Sequence, residues 1–145
     1  MKMVLQRVTE ASVAVDGEVI GDIGRGLLVF VGAEAEDDEQ VCRQLVDKMA
    51  KLRIFADDEG KSNLSVTDIG GEVLIISQFT LCADTKKGNR PSFMQAAPPD
   101  VASALYDYFC DYCIGKFSKV AKGSFGADMK VSLINDGPYT IIITS

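Results

Sequence analysis

The sequence predicts a single α+β domain spanning residues 1–145, built as a curved, barrel-like β-sheet with two helices. Strand-like alternation and short apolar runs recur from Met3 to Thr144, whereas helical spacing appears in only two segments. Those two segments do not alternate regularly with the strands, which favours α+β over a doubly wound sheet. The chain has 145 residues, 47% of them hydrophobic and 25% charged. Such a chain suits one domain that buries about two-thirds of its surface.

Met3 to Thr9 and Ala11 to Val15 alternate as strands, and Asp16-Gly17 before Glu18 to Ile23 signals a tight hairpin. Leu27 to Val31 is a continuous apolar run between Gly26 and Gly32, suited to a strand buried on both faces. The acids from Glu36 to Glu39 open a helix over roughly residues 37 to 51, with Val41, Leu45, Val46, Met49 and Leu52 at helical spacing. Leu52 to Phe55 reads as a short strand, and Ala56 to Ser62 as a turn. Val73 to Ile76, after Gly70-Gly71, is the most strand-like run and belongs in the centre of a sheet. A polar loop covers Ala83 to Pro91. Pro98-Pro99-Asp100 then starts a second helix with Val101, Leu105, Tyr108, Phe109 and Tyr112 as its apolar stripe. Met129 to Ile134 and Tyr139 to Thr144 close the chain as two strands around Asn135-Asp136-Gly137-Pro138.

Composition excludes several functions. Fifteen Lys and Arg against 21 Asp and Glu give a formal charge of -6, so a nucleic acid must be gripped by a small local patch rather than a broad positive field. Without histidine there is no Ser-His or Cys-His pair. Cys110 and Cys113 are closely spaced, but Cys42 and Cys82 stand far off, so packed thiols are favoured over zinc. Gly60-Lys61-Ser62 ends like a phosphate-binding loop, but Phe55 stands where the opening glycine is required. Gly21, Gly24 and Gly26 follow a hairpin rather than opening a helix, and Asp57-Asp58-Glu59 reads as a solvated turn. No apolar run is long enough to span a bilayer and no secretory signal is visible, so a cytoplasmic protein is expected.

Three segments carry candidate chemistry. Ser77-Gln78-Phe79-Thr80 follows a buried strand directly, where backbone N–H groups and polar side chains can surround a bound carbonyl. By residue type alone, ordinary sheet-edge polarity explains them better. Lys86, Lys87 and Arg90 concentrate three cations in one loop, as a phosphate grip or simply as a solvated loop. Gly137-Pro138 reads on base rates as a trans turn.

Ser77–Leu81, Gly88–Phe93, Phe125–Met129 and Asn135–Pro138 together resemble the D-aminoacyl-tRNA deacylase family, and the similarity runs essentially end to end. Gln6-Arg7-Val8, Leu52–Phe55 and the proline-rich entry to the second helix add to it. The resemblance implies a homodimeric editing hydrolase that cleaves the ester of D-aminoacyl-tRNA, using no metal or cofactor. It implies catalytic roles for Ser77, Gln78, Phe79 and Thr80, and an adenine pocket from Phe125, Gly126, Ala127 and Met129. Gly137-Pro138 is then expected to be cis, to reach into the partner's site and to exclude L-side chains, with glycyl-tRNA accepted. Lys86, Lys87 and Arg90 are expected at acceptor-stem phosphates. Ser124 and Tyr139 depart from the family's common basic residue and valine. The rivals are a noncatalytic RNA-end binding module and a thiol redox protein using Cys110 and Cys113.

Overall fold

The computed structural model describes all 145 residues. The first half contains β1 (Lys2–Val15), β2 (Glu18–Ile23), β3 (Gly26–Gly32), α1 (Glu39–Lys51), β4 (Phe55–Ala56) and β5 (Ser62–Leu64). β6 (Glu72–Ser77), a 3-10 turn at Phe79–Cys82, α2 (Pro99–Cys113), β7 (Val120–Lys122) and β8 (Met129–Thr144) follow.

β1 is one strand where the alternation suggested two, and a phase change explains the difference. Its buried residues step from Met3 and Leu5 to Val8, then back to Ala11 and Val13. Irregularities in its pairing with β8, on either side of Val8, absorb both steps without ending the strand. The first half of β1 thus pairs with β3, and the second with β2 across a turn where Asp16 and Gly17 have φ of 51° and 80°. Two such positive angles are what the tightest hairpin turn requires.

The principal sheet runs β2-β1-β3-β6-β7, with β3, β6 and β7 mutually parallel and β8 antiparallel to β1. It curls nearly into a barrel, bringing β2 to β7; a methyl group at Gly21 would lie 3.1 Å from the Lys122 carbonyl oxygen. β3 and β6 are therefore covered on both sides, as their unbroken apolar sequences require. Leu27, Val29, Val73 and Ile75 face the helices in one core, while Leu28, Leu74, Ile76 and Val8 fill the inside of the curl.

α1 begins where the Asp38 carboxylate accepts from the Val41 N–H at 2.9 Å, and it buries Cys42, Leu45, Val46 and Met49. α2 starts with Pro99 at its first turn, where a missing N–H costs nothing. Its buried face is Ala102, Leu105, Tyr106, Phe109, Cys110 and Cys113, rotated from the expected stripe. Val101 is exposed, and Tyr108 and Tyr112 sit at the edge, where their hydroxyls meet Arg43 and Asp47 of α1. Phenolic oxygens need partners, so these rings settle at a boundary that phenylalanine does not need. Removing the fully buried Phe109 ring would cost about 3 to 5 kcal/mol.

The remaining differences lie at short or unusual elements. Leu52 ends α1 rather than starting a strand, and Phe55–Ala56 pairs instead with Ser62–Leu64. β7 has too short a pattern to be read from sequence and is held by pairing to β6. Asn135–Pro138 is not a reversal: Met129–Leu133 and Thr140–Thr144 pair in one direction with the same strand, β1. The Gly137–Pro138 peptide within it is cis. No helix is long and apolar enough to cross a membrane.

Candidate active site

The end of β6 becomes a site because its hydrogen-bonding ladder stops there. Gln78 N–H makes the last bond, to the Val31 carbonyl at 2.8 Å, and the chain then tightens into the 3-10 turn. Gly32 permits this: a methyl there would come within 2.7 Å of the Gln78 carbonyl oxygen. The first donors of any helical turn lack partners within it, which leaves the Phe79 and Thr80 N–H groups available.

These residues open onto a cavity of about 520 Å³. Ser77, Gln78 and Phe79 line it together with Phe125, Gly126, Ala127, Asp128 and Met129, with Ala97 contributing from just before α2 and Pro99 and Ala102 from its start. That volume lies within the range of small-ligand sites, and a largely apolar wall facing a few polar groups is their usual chemistry. The wall is pinned from beneath. Tyr106 Oη lies 2.9 Å from the Ile75 carbonyl and 3.3 Å from that of Gly123, so its one proton can serve either. Burial pushes this phenol's pKa upward, keeping it a neutral donor. Gly123 N–H returns to Ile75 O at 2.9 Å, and the Tyr106 ring stands 6.1 Å from that of Phe125.

Thr80 does not line the cavity, and its hydroxyl accepts from Gln78 Nε2. No carboxylate bonds to that hydroxyl and the chain has no histidine, so no base stands ready to take its proton. Lys86, Lys87 and Arg90 are exposed and form no ion pair; the Asp84–Ser92 backbone pair, at 2.8 and 2.9 Å, closes their loop. Ser77, Gln78 and Phe79 are thus brought together with the predicted Phe125–Met129 segment.

Gly137 and Pro138 are not in that cavity. They lie halfway along β8, over Arg7, and a methyl at Gly137 would meet nothing within 4 Å. Arg7 donates from Nε to Asp136 O at 3.1 Å, from Nη1 to Ile54 O at 2.5 Å and from Nη2 to Gly137 O at 3.1 Å. Asn135 Nδ2 bridges the Arg7 and Tyr139 carbonyls, and Tyr139 donates to Ser62 Oγ at 2.6 Å beneath the guanidinium.

Residues 4–144 match the family model described as D-Tyr-tRNA(Tyr) deacylase. The chain belongs to this family. Membership makes it a hydrolase of ester bonds, in the D-aminoacyl-tRNA deacylase class. A D-aminoacyl-tRNA deacylase of Saccharophagus degradans is 56% identical over 144 residues, covering 99% of both chains. One of Roseiflexus castenholzii is 54% identical over 145 residues, covering 100% of this chain and 92% of the relative. A solved structure described as "c-Myc DNA Unwinding Element Binding Protein" has a TM-score of 0.95 at 42% identity, covering 100% and 99% of the two chains. A probable eukaryotic D-amino acid tRNA deacylase shares the fold, with a TM-score of 0.85 at 21% identity over 98% and 97% of the chains.

In this family member, sequence reasoning missed two side chains that brace the cavity wall and the Gly137-Pro138 segment, Tyr106 and Arg7. Arg7 figured only in a quoted motif, yet a charged residue inside the apolar run Met3–Val8 was a signal that its side chain has fixed partners. Tyr106 gave no signal, because nothing in a helix marks a buried tyrosine as a donor. All four cysteines are buried and unpaired, and no group of acids and cysteines is arranged to hold a metal. Burial raises the thiol pKa of Cys42 to about 11 and of Cys110 to about 12, and that of Cys113 also moves up. Such thiols are poor nucleophiles, which counts against the redox reading.

Proposed function

We propose that the cavity at the end of β6 hydrolyses the ester between a D-amino acid and the terminal adenosine of tRNA, and that a second copy of the chain completes it. The observation that carries this is the cavity itself. One volume of about 520 Å³ joins the Ser77-Gln78-Phe79 turn, suited to an ester carbonyl, to the Phe125–Met129 wall, suited to a splayed adenine. Water adds to the ester carbonyl, and the oxyanion is met by Gln78 and the Phe79 and Thr80 N–H groups. The carbon–oxygen bond to the ribose then breaks, giving the free amino acid and a ribose hydroxyl. With no base beside Thr80, the neighbouring 2'-hydroxyl of the ribose assists the water, and Thr80 positions Gln78.

The exposure of Gly137-Pro138, outside its own protomer's cavity, supports a role in a partner's. β8 is bonded on one edge only, and it presents Ile134 and Ile142 to solvent, 54% and 72% exposed. A second copy seated there would cover these side chains. Its Gly-Pro carbonyls would hold the substrate's α-amino group, and a rigid backbone at that point leaves no room for an L-side chain. Glycine has none to exclude, so glycyl-tRNA is a substrate as well. Lys86, Lys87 and Arg90 meet acceptor-stem phosphates, and the protein works in the cytoplasm.

The test is turnover. Catalytic amounts of protein should release free D-tyrosine from D-tyrosyl-tRNA and glycine from glycyl-tRNA while sparing L-tyrosyl-tRNA. Binding without turnover would instead establish an RNA-end module, and cleavage of the L-ester at a similar rate would remove the chiral role of Gly137-Pro138.

A further inference from the structure

We propose that Phe93, beside the ring of Phe79, and its chain neighbour Met94 form a stacking ledge for the unpaired nucleotides that precede the terminal adenosine. The inference rests on reading the adjoining cavity as the seat of an RNA 3' end. It starts from an exposure that folding does not explain. Phe79, Phe93 and Met94 are 54%, 36% and 91% exposed; the Phe93 ring meets that of Phe79, which lines the cavity, and Met94 lies in the chain between Phe93 and Ala96, which lines it too. Scattered apolar residues on a surface are ordinary, but a cluster at a pocket mouth marks a ligand-facing surface.

The ledge is held rather than loose. Phe93 O accepts from Ala96 N–H at 3.0 Å, Gln95 O accepts from Ala35 N–H at 3.1 Å, and Ala97 N–H reaches Ala33 O at 3.0 Å. After Met94 the segment is thereby fixed to the chain that follows β3, and before it Ser92 is bonded to Asp84. The Phe79 and Phe93 rings meet edge-on, with centroids 5.0 Å apart and planes at 64°. An edge-on contact leaves ring faces free, as base stacking requires.

Charge identifies the occupant. From Thr85 to Pro99 there is no acidic residue, but there are three cations, Lys86, Lys87 and Arg90, in a chain of net charge -6. The Asp84–Ser92 pair closes the loop so that the cationic arm returns directly to Phe93. Aromatic faces for bases, flanked by cations for phosphates and continuous with a nucleoside-sized cavity, are the two parts of a single-strand RNA track.

The experiment compares D-tyrosyl-tRNA with D-tyrosyl-adenosine, which carries the same ester on the nucleoside alone, and adds direct binding of an uncharged CCA trinucleotide. Phe93→Leu keeps an apolar contact to Phe79 but removes the flat ring; Met94→Ser alters a side chain almost wholly in solvent. Each should raise KM for the charged tRNA roughly 5- to 20-fold, the lower part of the range for losing one base stack. Each should weaken CCA binding by a similar factor and leave hydrolysis of the nucleoside ester unchanged. Equal losses on both esters would overturn the ledge, since the residues would then act through the cavity, as would no loss of CCA binding. If the unmutated protein cleaves neither ester but the variants still lose CCA binding, the ledge stands and the hydrolytic reading fails.

Discussion

Arg7 Nη2 donates to the carbonyl oxygen of Gly137 at 3.1 Å, across a pairing of β1 with β8 that leaves both residues outside the regular ladder. The guanidinium is mostly buried; two more of its five N–H groups go to Asp136 O and Ile54 O, Nε also lies 3.1 Å from the Asp136 carboxylate, and its face lies 4.6 Å above the Tyr139 ring. A carbonyl oxygen has two lone pairs, so Arg7 orients the Gly137 oxygen and leaves one lone pair for an ammonium group.

This arrangement makes a lysine a poor substitute, because a point charge cannot reach three carbonyls in fixed directions. Arg7→Lys and Arg7→Ala should both lower stability, the alanine variant by about 2 to 3 kcal/mol as buried acceptors lose a charged donor. Tyr139→Phe, which keeps the ring but loses the bond to Ser62, should cost about 1 kcal/mol. Chemical denaturation ranks the three. An Arg7→Ala protein as stable as the parent would mean that the fork is not what holds this segment.

Gln78 and Thr80 separate two mechanisms. The Thr80 hydroxyl accepts from Gln78 and has no base beside it. Thr80→Ala should therefore keep kcat within about tenfold, and Gln78→Ala should lose roughly 100-fold as an oxyanion donor disappears. A substrate ending in 2'-deoxyadenosine should be cleaved poorly. Normal cleavage of the deoxy substrate together with an inactive Thr80→Ala protein would make Thr80 the nucleophile.

How far the site can be read from sequence depends on how local its determinants are. The Asp16-Gly17 hairpin, the helix opened by the acids Glu36 to Glu39 and the inner strand Val73–Ile76 follow from neighbouring residues; the hairpin and strand stand where the pattern places them, and the helix begins at Glu39, within two residues of its expected start. That polar residues follow this strand at Ser77 and Gln78 is legible for the same reason, whereas their chemistry is not, since residue type alone reads as ordinary sheet-edge polarity. By contrast, the face that α2 buries depends on partners in α1, and the continuity of β8 through Pro138 depends on β1, far off in sequence. The meeting of Gln78 with Phe125 is set by tertiary contacts such as the Tyr106 bonds to Ile75 and Gly123, which no local pattern encodes.

The buried thiols give the molecule an alkaline limit. Folded pKa values of about 11 for Cys42 and about 12 for Cys110 lie above that of an unfolded cysteine, so the native state holds protons that the unfolded chain releases. Stability contributed by these neutral thiols is complete below the unfolded value of ~8.5 and declines as pH rises toward the folded values. Each thiol contributes a slope of about 1.4 kcal/mol per pH unit in that window. Urea midpoints measured from pH 8 to 11 should fall steadily, and a Cys42→Ala, Cys110→Ala protein should show a shallower fall. A thiol reagent at pH 8 should label the native protein only as fast as it unfolds; rapid labelling of any of the four cysteines would contradict their burial.

Gly137 offers the sharpest test of whether two copies share a site. A methyl at this position meets nothing in its own protomer, and its φ is not in the left-handed region, so Gly137→Ala should fold with unchanged stability. If the segment works inside a partner's cavity, the added methyl stands where the substrate's amino group must sit, and hydrolysis of D-tyrosyl-tRNA should largely disappear. Gln78→Ala is inactive for a different reason, since its own cavity lacks a donor. Mixed and exchanged, the two inactive proteins should form dimers in which one intact cavity meets one intact Gly-Pro segment. Random pairing of equal amounts gives such an arrangement at about a quarter of all sites, so about a quarter of the parental activity should return. A segment acting on its own protomer's cavity leaves every site in the mixture defective, and activity stays at the level of the separate variants.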